Sequence, residues 1–241
     1  MSTIDELQER KSVRVFEDRP VPQNIREQIL DCALAAPTAR NQMLYTIIEV
    51  DDPAAKTTLA KSCAEQDFIA KAPWVLVFLA DCRRWFDAFA FAGCDAVQPD
   101  EADLYLAFAD AQIAAQNTVT AAHSLGLGSC YVGYGPAHKE IVGELLELDE
   151  YVVPVAVLIL GYPDGRQEAK PKPSRFAREY IVQKDKYHRL SEDEQREMFA
   201  RRGVDLDRLA ASLYHRKHNS RFSAELTLGI QGYLAAFSSK K

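Results

Sequence analysis

The stretch Leu104–Gly135, LYLAFADAQIAAQNTVTAAHSLGLGSCYVGYG, decides how the rest of the chain is read. Its first 22 residues, to Leu125, contain no Gly or Pro. They are rich in Ala, the residue with the lowest intrinsic cost in a helix. A helix over 104–125 follows, about 33 Å long at ~1.5 Å per residue. It has no broad polar face, because Asp110, Gln112, Gln116, Asn117 and His123 are scattered among small apolar side chains. A helix that is apolar nearly all round is buried, and this one is too polar to span a membrane. The expectation is a central helix, placed at a subunit interface, that stops at Gly126 in the left-handed conformation. Gly128, Gly133 and Gly135 then make a glycine-rich bend whose backbone can lie close to a flat ligand.

Composition narrows the class. The chain has 241 residues, 47% hydrophobic and 27% charged, with a net charge of −6. That is enough for a sizeable core, and the acidic balance argues against a general nucleic-acid binder. No apolar run reaches the length of a membrane span, and MSTIDELQERKS is not a signal peptide, so a cytoplasmic protein is expected. Five cysteines without a CxxC pair are read as reduced and mostly buried, Cys130 among them.

Ahead of the central helix, residues 3–10 read as a short helix capped by Ser2 or Thr3. RKSVRVF follows, placing Arg10, Lys11 and Arg14 around Ser12. Such a cluster is either a solvated basic face or a phosphate site, with cations for charge and a hydroxyl for a hydrogen bond. A helix at 23–35 turns Ile25, Ile29, Leu30 and Leu34 inward and ends before Pro37. The loop TARNQ then offers Thr38, Arg40, Asn41 and Gln42 as a donor-rich surface. Strands are expected at 44–50 and 74–80, with a helix at 53–63 between them and a helical turn at 67–72. Residues 82–103 carry Trp85, Phe86, Phe89 and Phe91 and are either a hydrophobic helix or a mobile lid over a planar substrate.

Beyond the glycine bend, a helix at 137–147 precedes VVPVAVLILGYP (152–163), the strongest strand signal in the chain. GRQEAKPKPSRFAR is an extended basic arm that Pro171 and Pro173 keep from being helical. REYIVQKDKY (178–187) reads as an edge strand, and a helical tail occupies 191–237. His215 and His218 in that tail have helical spacing, but no acidic or Cys partner lies nearby, so no metal is assigned. The segment Gly126–Tyr131 lacks the third glycine of GxGxxG and follows a helix, so a Rossmann site is unsupported. Nor is there a GxxxxGK[ST], HExxH or GxSxG pattern.

Two basic clusters, a polar loop after APT and a glycine-rich bend would suit a flat cofactor with a phosphate tail. RKSVRVF before PVP, APTARNQ before a strand, AAQNTVTAAHSLGLGSCYVG, and LGYP before KPKPSR together resemble the FMN-dependent nitroreductase family in order and spacing. The likeness runs over about residues 5–180. It implies an α+β fold, a mixed and mainly antiparallel sheet flanked by helices, in an intertwined homodimer with two FMN molecules at the interface. Residues 1–180 would form the FMN-binding domain. Residues 181–241 would be a C-terminal strand and helical extension packed on the partner subunit.

By the same resemblance, Arg10, Lys11 and Ser12 match phosphate and ribityl contacts, and Thr38, Asn41 and Gln42 match the loop that reaches the neighbouring subunit's FMN. Tyr131, Val132 and Gly133 match the backbone segment against the isoalloxazine; Arg175 matches a late phosphate arginine, assisted by Lys172. Where many members read APSxxNxQPW, this chain reads APTARNQMLY. The implied activity is hydride transfer from NADH or NADPH through flavin N5 to a nitroaromatic, quinone or activated alkene, in ping-pong order. No protein acid or base is compelled, and Tyr45, Tyr131 and Tyr134 are read as core or stacking residues before proton donors. The alternatives are a flavin-dependent dehalogenase or flavin-modifying enzyme on the same fold, or a non-catalytic FMN-binding regulatory protein.

Overall fold

The computed structural model describes residues 2–133 and 135–238. At its centre is an antiparallel four-stranded sheet in the order β1–β2–β4–β3, with β1 at Tyr45–Glu49, β2 at Trp74–Asp81, β3 at Gly128–Val132 and β4 at Val152–Gly161. Among the described residues the one parallel pairing is an isolated bridge, Ser12 to Ser129, at the β3 edge. Every residue of β2 and β4 is buried. A central strand covered on both faces has no solvent side, which explains why both read as unbroken apolar runs rather than alternating ones.

Helices α1 (Thr3–Glu9), α2 (Gln23–Leu34), α3 (Pro53–Ser62), α4 (Arg83–Phe91), α5 (Glu101–Ser124) and α6 (Lys139–Leu145) surround the sheet. On one face, Leu76, Phe78, Leu158 and Leu160 pack with Ile29 and with the alanines of α5. On the other, Val75, Val77, Leu79 and Ile159 meet Leu59 of α3 and Val142 of α6. Ala107, Ala111, Ala114, Ala115 and Ala122 are fully buried, and side chains this small let α5 lie close on the sheet. A register shift at Phe78/Leu79 leaves Val155 unpaired beside Pro154. A bulge accommodates a proline that has no N–H for the ladder.

The central helix starts three residues earlier than the composition suggests. Asp100 caps it, accepting from the N–H groups of Ala102 and Asp103, while the Asp103 carboxylate takes the Asp100 N–H. It ends as expected, with Gly126 at φ +80°. Two expectations are corrected. The segment after Gly126 is not a bend but the edge strand β3, because Gly128–Val132 can pair along β4 as far as Gly161. Residues 178–187 hold no strand: Arg178–Ile181 is the short helix α8.

The described residues up to Lys170, together with those from Glu225 onward, form one compact unit, and Pro171–Ala224 form a second. The first includes a short helix, α7 (Gly165–Glu168). The second carries α8, α9 (Glu192–Arg201) and α10 (Leu206–Leu213); Arg201 of α9 pairs with Glu179 of α8 at 2.6 Å, Arg196 of α9 with Asp207 of α10 at 3.2 Å, and Phe199 meets Phe176 edge-on. Helix α11 (Arg221–Phe237) buries Tyr233 and Phe237 in the first unit's core. Gly229 is obligatory there, since a Cβ would fall 1.9 Å from the Pro136 carbonyl oxygen. Among the described residues no helix is long and apolar enough to cross a membrane.

Candidate functional site

The chain leaving α1 runs along the ends of β3 and β4. Val13 N–H donates to the Ser129 carbonyl at 2.9 Å, and Glu17 N–H to the Tyr162 carbonyl at 2.9 Å. This closeness requires Gly128, where a Cβ would stand 2.5 Å from Val13 Cγ2. Between this segment, the end of α5 and β3 lies a cavity of about 520 Å³, lined among others by Glu9, Arg10, Lys11, His123, Gly126 and Ser129. Arg10 Nη1 and His123 Nε2 are buried there with no hydrogen-bond partner among the described residues. Buried donors are nearly always paired, so an unpartnered guanidinium nitrogen beside a cavity fits an anionic group, phosphate above all. The Lys11 ammonium also lines the cavity and donates to the Lys170 carbonyl at 2.5 Å.

The strand beside the cavity is poor in reactive groups. Burial pushes the Tyr131 phenol up to about 12, against the opposing pull of Arg10, and its hydroxyl donates to Gln116 Oε1 at 3.4 Å. Burial also raises the Cys130 thiol, which Arg14 and Ser12 only partly offset, so it packs as a neutral thiol. Val132 is buried and Gly133 exposed, with open space where a Cβ would point. Tyr45 is a core residue whose hydroxyl donates to the Ala33 carbonyl. Tyr134 lies outside the described residues.

The second group of expected residues sits elsewhere on α5. In the loop Thr38–Leu44, Arg40, Asn41 and Met43 adopt φ of 53°, 57° and 51°, a conformation that costs a non-glycine residue ~1 kcal/mol or more. Asp110, deep in α5, accepts from the Thr38 hydroxyl, from Ala39 N–H at 2.9 Å and from Leu44 N–H at 3.2 Å. Asn41 remains exposed and Gln42 half-buried. Asp110 and His123 are 13 residues apart on one helix, roughly 20 Å at ~1.5 Å per residue. One chain therefore does not bring the cation segment and the Asn41–Gln42 loop to the same end of α5.

Sequence reasoning missed what holds this loop. Asp110 was visible as a lone acid in an alanine-rich helix, and a buried carboxylate needs donors. Arg84 and Trp85 of α4 gave no such signal. Arg84 donates to the carbonyls of Met43 at 3.0 Å and Tyr45 at 3.2 Å, and Trp85 Nε1 to that of Gln42 at 2.8 Å. Of the two readings of 82–103, a helix is present at Arg83–Phe91, with Phe91 87% exposed at its end. Lys172 and Arg175 belong to the second unit, where both are exposed and Arg175 Nη1 donates to the Pro173 carbonyl at 3.2 Å.

Comparison with known proteins identifies the family and the fold. Residues 7–162 match the model of the nitroreductase family. The chain is 34% identical over 191 residues to an oxygen-insensitive NADPH nitroreductase of Salmonella typhimurium, covering 79% of this chain and 76% of that protein. It is 31% identical to an FMN reductase [NAD(P)H] of Bacillus subtilis, over the same shares of the two chains. Its fold superposes on the NADPH:FMN oxidoreductase of Vibrio harveyi, solved in complex with NAD+, with a TM-score of 0.78, 26% identity and 99% of both chains covered. The match over most of the chain, the curated relatives and the shared α+β layers establish that the chain belongs to the nitroreductase family.

Proposed function

We propose that the protein is an NAD(P)H-dependent FMN oxidoreductase that works as a homodimer and reduces a nitroaromatic, a quinone or an activated alkene. One observation carries the reading: the buried, unpartnered Arg10 guanidinium nitrogen beside a cavity of about 520 Å³. Bound FMN would supply the hydride chemistry between a reduced nicotinamide and the acceptor, in ping-pong order. Arg10, Lys11 and Ser12 would hold the phosphate and ribityl chain; Lys172 and Arg175 are assigned to the phosphate on the sequence resemblance alone. The backbone of Tyr131, Val132 and Gly133 would lie against the ring system. Tyr131, neutral at physiological pH, offers polarity without a competing negative charge.

The two halves of the site lie at different levels of α5, so a second copy must complete it. The outer face of α5 suits that role, because Tyr105, Phe108 and Ile113 are exposed on it at 76%, 46% and 39%. Asn41 and Gln42 of one protomer would then reach the cofactor held by the Arg10 segment of the other, with Thr38 behind them, its hydroxyl taken by Asp110 and the Met43 N–H. The test is an anaerobic absorbance spectrum of the purified protein before and after NADH or NADPH. A flavin band near ~450 nm that bleaches with either nucleotide is the expected result. A flavin band that neither nucleotide bleaches would favour a regulatory or flavin-modifying protein, and failure to take up FMN would remove the reading altogether.

A further inference from the structure

The Thr38–Leu44 loop is held from two sides by groups of complementary chemistry. From α5, the Asp110 carboxylate collects donors: the Thr38 hydroxyl and the N–H groups of Ala39 and Leu44. The Met43 N–H is passed to the same centre through Thr38 Oγ1, at 2.8 Å. From α4, Arg84 and Trp85 collect the carbonyls of Gln42, Met43 and Tyr45. Between these clamps stand three left-handed non-glycine residues, a state that persists only where the surroundings over-determine it.

Asp110 is 3% exposed, on a helix whose other buried positions are five alanines with Thr118 and Val119. For packing alone a small apolar residue would serve better there, since a buried carboxylate must recover its lost hydration through hydrogen bonds. All the partners shown for it lie in the loop. The helix carries this charge for the loop and not for the core.

We propose that Asp110 is a positioning residue for the flavin chemistry: it fixes Thr38–Leu44 in the strained conformation that presents Asn41 and Gln42 to the partner subunit's cofactor. This rests on the reading that those two side chains touch FMN. Substitution Asp110→Asn keeps the volume but replaces one acceptor oxygen by a donor, which opposes the donors it faces. Losing one hydrogen bond to a charged group corresponds to roughly a 10-fold loss of affinity.

The experiment follows FMN release from diluted holoprotein by fluorescence recovery, with visible-region circular dichroism of the bound flavin as a second readout. Asp110→Asn should release FMN roughly 10-fold faster and alter the flavin dichroism. Thr38→Val should do the same to a lesser degree, and Thr38→Ser, which restores the hydroxyl, should recover most of that loss. If Asp110→Asn does not fold, the Thr38 pair decides the matter. Wild-type release and dichroism in both Asp110→Asn and Thr38→Val would overturn the positioning role, as would a Thr38→Ser variant as defective as Thr38→Val. Asn41→Ala and Gln42→Ala separate the two levels. If they bind FMN normally, the loop does not touch the cofactor and the proposal falls with that reading. If they bind it weakly while Asp110→Asn is unaffected, the positioning role alone is overturned.

Discussion

Residues 10–13 and residues 38–44 are both polar segments beside regular elements, yet they are built in opposite ways. The first is placed by backbone pairing to β3 and by the absence of a side chain at Gly128, and its Arg10 guanidinium nitrogen is left unpartnered beside the cavity. The second is placed by side chains from two helices that take up its backbone groups, leaving Asn41 exposed at its tip. One segment stores unmet binding capacity, whereas the other stores backbone strain. Substitutions in the first should therefore act on ligand affinity directly, and those around the second should act through shape.

The largest expected effect tests the first half of that contrast. Arg10→Ala removes a guanidinium whose buried Nη1 has no partner among the described residues, so FMN affinity should fall roughly 10- to 100-fold, the range of one or more charge-assisted hydrogen bonds. The same substitution relieves a buried unpaired polar nitrogen, so the flavin-free protein should be no less stable. Flavin titration and thermal unfolding of the flavin-free form measure the two arms. Loss of stability without loss of affinity would make Arg10 a structural residue and erase the contrast.

The difference also explains what the sequence could reveal. The cations of RKSVR were legible because their chemistry lies in residue identity at close spacing. The central helix was legible because Ala and the absence of Gly and Pro are local signals, although its Asp100–Asp103 cap extended it by three residues. The anchoring of the 38–44 loop was hidden because its partners lie far along the chain, at Arg84, Trp85 and Asp110. β3 was hidden for another reason: Gly128 and Gly133 resemble a bend, but here the glycine meets the demand of Val13 for space. REYIVQKDKY alternates enough to suggest a strand, yet Arg178–Ile181 closes a helical turn and the Arg201–Glu179 pair is made within its own unit.

An intermediate effect is expected at Gly128. A Cβ there would lie 2.5 Å from Val13 Cγ2 and 2.6 Å from Val13 Cβ. Gly128→Ala should thus destabilise the protein by ~1–3 kcal/mol, the usual cost of overpacking, and weaken FMN binding by pushing Ser12 off Ser129. Val13→Gly in the same chain clears the clash, so the pair should be strongly non-additive in a double-mutant cycle. Additive effects would show that the two segments are not held by this contact.

The smallest effect concerns the strand that the first segment lies on. The Tyr131 hydroxyl keeps its proton up to about 12 in the folded protein, because burial outweighs the opposing influence of Arg10. An unfolded tyrosine releases its proton near ~10. The folded state thus binds the proton more tightly, so the contribution of Tyr131 to stability is complete below about pH 10 and is lost as the pH rises toward 12. One such group steepens the alkaline loss by at most ~1.4 kcal/mol per pH unit. Denaturant midpoints from pH 8 to 11.5 should fall less steeply for Tyr131→Phe than for the wild type. Arg10→Ala removes the nearby positive charge that favours the phenolate, so its curve should be steeper toward the alkaline end than that of the wild type. Parallel curves for all three proteins would mean that Tyr131 and Arg10 do not share one buried site, and the first segment would then be no more than a solvated basic face.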